Sequence, residues 1–150
     1  MSDIGLFLKD NCFDLDIENG DLKPDNGLET AVAISLFTDK RVTEEQLPDL
    51  ETDRRGWWGD MFPEVDQDLI GSRLWTLDRS KTNNETLRRS EELCLESLKW
   101  MQEDGIADEI TIQSEYNDSK VMNTTIEITR PDETEERFSV LWDEQKLRRL

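Results

Sequence analysis

The 150-residue sequence has no histidine, two cysteines, one tyrosine, and half as many basic as acidic residues. Each shortage closes a class of function. Without histidine there is no imidazole base, no Ser-His-Asp triad and no histidine metal site. Cys12 and Cys94 are too few and too far apart for a disulfide framework or a zinc pattern, which points to a reducing setting. Cys94 falls on the apolar phase of a predicted helix and reads as a buried small hydrophobe. The balance of 18 Lys and Arg against 36 Asp and Glu gives a formal charge of −18, which repels nucleic acid and anionic membranes alike. No apolar run approaches the ~20 residues that span a bilayer. The opening Met1-Ser2-Asp3-Ile4-Gly5 lacks the basic-then-apolar order of a secretory signal, so the expectation is a soluble chain made in the cytoplasm. A phosphate loop is missing too, since Gly56-Trp57-Trp58-Gly59 sets bulky rings where backbone must approach a phosphate. Acids are abundant enough for a paired-carboxylate glycosidase, but none stands in a distinctive apolar setting. The chain therefore reads as a non-enzyme without metal or cofactor.

What is present suits one domain over residues 1–150, long enough for a core of its own. Five tryptophans and several periodic segments speak against disorder, despite 36% charged residues. Phe13, Leu15 and Ile17 alternate with Asp14 and Asp16 as on one strand, and Asn19-Gly20 predicts a hairpin turn. The Asp14, Asp16, Glu18 spacing resembles a calcium loop, but its glycine is misplaced and no bidentate Glu follows. Asn26 with Glu29 is the expected cap of a first helix running to about Thr38. Residues 31–37 are apolar nearly all round, which implies enclosure on more than one side. Thr82 with Glu85 predicts the cap of a second helix. Leu87, Cys94, Leu98 and Met101, supported by Leu95, lie along one face of it, Leu93 and Trp100 lie on another, and Gly105 is the stop. Three strands follow, around Ile110–Tyr116, Met122–Ile128 and Phe138–Trp142, with an exposed tail or extra helical turn at the end, residues 143–150. The fold class is α+β: two main helices on a small antiparallel sheet, joined by a long, ordered Trp/Arg-rich connection.

That connection holds two blocks. Asp53-Arg54-Arg55-Gly56-Trp57-Trp58-Gly59-Asp60 sets adjacent tryptophans between glycines, and Gly71-Ser72-Arg73-Leu74-Trp75 leads to Arg79 and Lys81. Neighbouring residues cannot share a face, so one of Trp57 and Trp58 is expected in the core and the other outside. Trp and Arg are enriched where proteins bind proteins. Arg54, Arg55, Trp57, Trp58, Asp60, Arg73, Trp75 and Arg79 are accordingly the candidate partner-binding residues, with Trp75 or the outer tryptophan as apolar anchor. The other reading has the arginines pairing with Asp53, Asp60 or Asp78 to brace the loop. The run Glu64, Asp66, Asp68 between the blocks reads as a solvated loop rather than a cation site.

These blocks, with Gly27–Val32, Leu36–Asp39 and the helix segment Glu96–Gly105, resemble in the same order the Mu-like bacteriophage baseplate proteins of the gene 46 type. The resemblance extends over residues 13–130, with Thr76 where an apolar residue is expected; the first dozen residues and the acidic C-terminal hairpin carry no part of it. It implies a non-enzymatic structural protein of a contractile phage tail or prophage-derived injection device, related to the wedge proteins that start the sheath. Such proteins sit in several copies in the virion baseplate, assembled in the host cytoplasm, against wedge, hub, sheath and tube subunits. A second class stays open on charge alone: an acidic mimic of nucleic acid that blocks a DNA-binding protein.

Overall fold

The computed structural model describes residues 3–9, 12–25, 27–142 and 146–150. The N-terminal part is built from short antiparallel pairs. Strand β1 (Asp3–Ile4) pairs with β6 (Pro24–Asp25), β2 (Phe7–Lys9) with β3 (Cys12–Asp14), and β4 (Ile17–Glu18) with β5 (Asp21–Leu22). Asn19 and Gly20 turn the last of these with φ of 54° and 84°, the two left-handed residues that a tight hairpin of matching twist requires. The expected single strand through Phe13, Leu15 and Ile17 is instead broken between β3 and β4. Phe13 alone reaches inward, stacking on Phe37 at 5.6 Å, while Leu15 and Ile17 stay exposed.

Helix α1 spans Glu29–Phe37, and the Asn26 cap expected for it lies outside the described residues. Carboxylates reach its first turn from elsewhere. Asp25 accepts from Gly27 N at 2.8 Å and Thr30 N at 2.7 Å, and Glu136 Oε2 accepts from Leu28 N at 3.2 Å. Both acids sit where the helix dipole favours negative charge and the first amides need partners. Helix α2 spans Asn84–Glu103, and its cap is Asn83, whose Oδ1 accepts from Thr86 N at 2.8 Å. The expected Thr82–Glu85 box is displaced by one residue, because Asn83 has the extended backbone a cap requires.

The C-terminal sheet has four strands in the order β10-β9-β8-β7, all antiparallel: β7 Glu109–Tyr116, β8 Met122–Thr129, β9 Glu135–Leu141 and β10 Lys146–Arg149. The tail or helical turn expected after residue 142 is thus in part a fourth strand, with Leu147 registered against Val140. Across the sheet Ile112, Ile126 and Phe138 align on one face, as the alternation predicts. α2 lays Leu93, Cys94, Leu98 and Met101 on that face, whereas Leu95, expected beside them, is exposed. α1 adds Val32, Ala33 and Leu36 to the same core. The result is an α+β fold with helices packed on an antiparallel sheet. Among the described residues no helix is long and apolar enough to cross a membrane.

Candidate functional site

The long connection between α1 and α2 is ordered by a lattice of backbone bonds. Asp39 forms a parallel bridge with Ser72, Lys40 N donates to Ser72 O and Ser72 N to Thr38 O, each at 2.9 Å. Ser72 Oγ caps a carbonyl at the end of α1, donating to Leu36 O at 2.7 Å. Farther out, Val42 N donates to Arg54 O at 3.1 Å, and Arg54 Nε returns to Val42 O at 2.7 Å. Gly71 is required by this clasp: at φ +95° a Cβ would stand 2.2 Å from Thr38 O.

Trp75, on the short 3-10 turn Leu74–Leu77, is only 6% exposed and donates its indole N–H to Lys40 O at 2.9 Å. The Arg55 guanidinium covers the ring at 4.4 Å from its centroid, ion-paired to Asp39 at 2.8 Å and near Asp78 at 3.8 Å. Burial raises the Asp78 carboxyl above its ordinary pKa; Arg55 opposes this and nearby Asp39 adds to it. Arg73 forks onto Glu96 of α2, and Thr76 turns its hydroxyl to Arg73 O at 2.7 Å, which accounts for a polar residue there. Arg54, Arg55, Arg73 and Trp75 are therefore joined to their own chain. Trp75 is no surface anchor, because its polar edge and its face are both occupied. The carboxylates that brace Arg55 and Arg73 are chiefly Asp39 and Glu96, which lie far from the arginines in sequence. Arg79 is exposed at the end of the same turn, its charge lowering the Glu51 pKa after the larger effect of backbone hydrogen bonds.

Trp57 and Trp58 divide differently from the expectation. Neither is in the core: Trp57 is 46% and Trp58 74% exposed, with ring centroids 5.4 Å apart. The chain here is an irregular turn, Trp58–Met61, with no buried residue, so the alternation of a strand does not apply to it. Trp57 instead folds over Gly59, where a Cβ would meet its ring at 2.1 Å. Asp60 ties the turn to the second block, its Oδ1 accepting from Ile70 N at 3.3 Å, while Oδ2 is buried with no hydrogen bond among the described residues. Met61, Phe62 (79% exposed) and Val65 continue the apolar surface, and Glu64, Asp66 and Asp68 are exposed around them. Met61 and Phe62 escape sequence reasoning because solvent-facing apolar residues carry no periodicity.

Beside this turn lies a groove of about 740 Å³ between the α1–α2 pair and the 57–71 segment. Ile34 of α1 and Trp100 of α2 form its floor, and Trp100 Nε1 donates to Ser35 Oγ at 3.0 Å. Their apolar character on the second faces of both helices is the feature from which the groove is foreseeable. At its end stands Arg130, bonded to the buried Glu136.

Helices over an antiparallel sheet, with a ring-and-guanidinium brace beside an exposed aromatic turn, define a small α+β protein whose exposed site is apolar. The chain belongs to the phage protein GP46 family, whose model matches residues 28–135. It is 36% identical over 133 residues to the baseplate protein gp46 of Escherichia phage Mu, covering 88% of this chain and 90% of that protein. It is also 35% identical over 144 residues to the Mu-like prophage FluMu protein gp46 of Haemophilus influenzae Rd, covering 95% of this chain and 98% of that one.

Proposed function

We propose that this protein is a non-catalytic structural component of a phage or prophage tail baseplate, docking on neighbouring subunits of the wedge, hub or sheath. The observation that carries the reading is the Trp58–Met61 turn, around which Trp58, Met61 and Phe62 stand largely in solvent and Trp57 is half-exposed. Apolar rings cost free energy in water, and a protein that orders them on its surface gains when a partner covers them. The name of the Mu relative supports the same role. Arg54, Arg55, Arg73 and Trp75 then serve by positioning the turn, Asp60 by tying it back, and Trp57, Trp58 and Arg79 by facing the partner. Assembly takes place in the host cytoplasm. Net charge −18 alone favours a nucleic-acid mimic, but an acidic mimic has no use for an aromatic turn.

The test is incorporation into tails. Trp58→Ser combined with Phe62→Ser should leave the thermal midpoint within a few degrees, since both side chains are exposed, and remove the protein from purified tails. Normal incorporation of the double variant defeats this reading of the turn. Absence of even the unchanged protein from purified tails defeats the baseplate assignment itself.

A further inference from the structure

We propose that the groove between the α1–α2 pair and the 57–71 segment receives an apolar stretch of a neighbouring protein flanked by lysine or arginine. The proposal deepens the baseplate reading and rests on it for the identity of the neighbour, while the chemistry of the groove stands on its own residues.

The floor is apolar and uncovered. Ile34 and Trp100 are each 36% exposed, on the faces of α1 and α2 turned away from the sheet. Trp57 and Ile70 close the side facing them. The volume, about 740 Å³, falls within the roughly 300–1,000 Å³ that encloses a drug-sized body, which is room for a few side chains.

The rim is acidic. Asp3 and Asp68 line the groove and are exposed, while Asp25 and Asp60, also in its lining, are engaged by backbone amides; the one base in the lining among the described residues, Arg130, is held by Glu136. An acidic segment or a nucleic acid meets like charge there. A wholly apolar segment brings no counter-charge to Asp3 and Asp68. Lysine and arginine meet both demands, laying their methylene stems on the Ile34–Trp100 floor and bringing their heads to the acids.

The experiment uses the purified full chain and labelled synthetic peptides, read by fluorescence anisotropy. A short peptide alternating leucine with lysine should bind at one-to-one stoichiometry, about tenfold more tightly than lysine–serine or leucine–glutamate peptides of the same length. Asp68→Lys and Ile34→Ser should each weaken it about tenfold, and Glu44→Lys, outside the groove, should not. Asp68 is exposed, so its variant remains informative if Ile34→Ser folds poorly. Equal binding of the lysine–serine peptide, or equal weakening by Glu44→Lys, would mean diffuse attraction to an acidic protein and overturn the proposal. If the leucine–lysine peptide behaves as expected but the protein is absent from purified tails, the baseplate reading falls and the groove stands. The reverse pattern removes the groove and leaves the baseplate.

Discussion

The guanidinium of Arg55 lies 4.4 Å from the centroid of the Trp75 ring while it donates to Asp39 Oδ2 at 2.8 Å. One side chain thereby fastens the 53–56 segment to both the end of α1 and the second block. Arg55→Ala should lower unfolding free energy by about 1–2 kcal/mol, the sum of a partly desolvated cation–π contact and a half-exposed ion pair. Arg55→Lys should recover only part of it, since an ammonium cannot cover the ring and pair at once. Chemical denaturation of the two variants checks both statements.

The tryptophans of the two blocks should differ in what their loss does. Trp75→Ala empties a buried site and orphans the Lys40 carbonyl, costing about 3–5 kcal/mol. Trp58→Ala alters an exposed ring and should stay within about 0.5 kcal/mol. Equal losses in a denaturation series would show that Trp58 belongs to the core in solution.

Gly20 and Gly71 share a positive φ, but only one of them is crowded. Gly20→Ala meets nothing within 4 Å and should cost about 1 kcal/mol of backbone strain alone. At Gly71 the added carbon must also displace Thr38 O, so the loss should exceed that of Gly20→Ala clearly. Comparison of the two thermal midpoints decides it.

Asp78 should make stability fall as pH rises. Its folded pKa is raised from the ordinary 3.8, so the folded state holds its proton more strongly than the unfolded chain. That contribution is complete below pH 3.8 and is lost as pH passes through the higher folded value. Asp78→Asn should therefore remove this slope and be neutral or stabilising at pH 7. Asp39→Asn, which breaks the Arg55 pair, should destabilise at that pH. Stability measured from pH 3 to 7 tests the sign.

The thiols should react unequally. Cys94 is fully buried, and burial pushes its pKa up to about 12, whereas Cys12 is exposed. A disulfide-exchange reagent should titrate one thiol in the folded protein and two in denaturant.

The helices and sheet were legible because their burial is periodic. Cys94, Leu98 and Met101 repeat at helical spacing, and Ile126, Ile128, Phe138 and Val140 alternate, so core and pattern coincide. What escaped depends on partners distant in the chain. Asn83 rather than Thr82 caps α2 through its backbone angle, and the fourth strand, Lys146–Arg149, exists only through its backbone pairing with β9. The arginines were recognisable as a cluster, but Asp39 and Glu96 are brought to them only by the fold. The paired tryptophans show the limit of alternation: on an irregular turn two neighbouring rings both stay outside the core and lie against each other.

The carboxylate of Glu136 is 3% exposed and accepts from the amide of Leu28, 108 residues earlier in the chain. The first turn of α1 is thus completed by a residue from the third of the four sheet strands. During synthesis the N-terminal segment leaves the ribosome long before that residue exists. That bond therefore forms only once β9 has been made, which ties the completion of the first helix to the synthesis of the sheet.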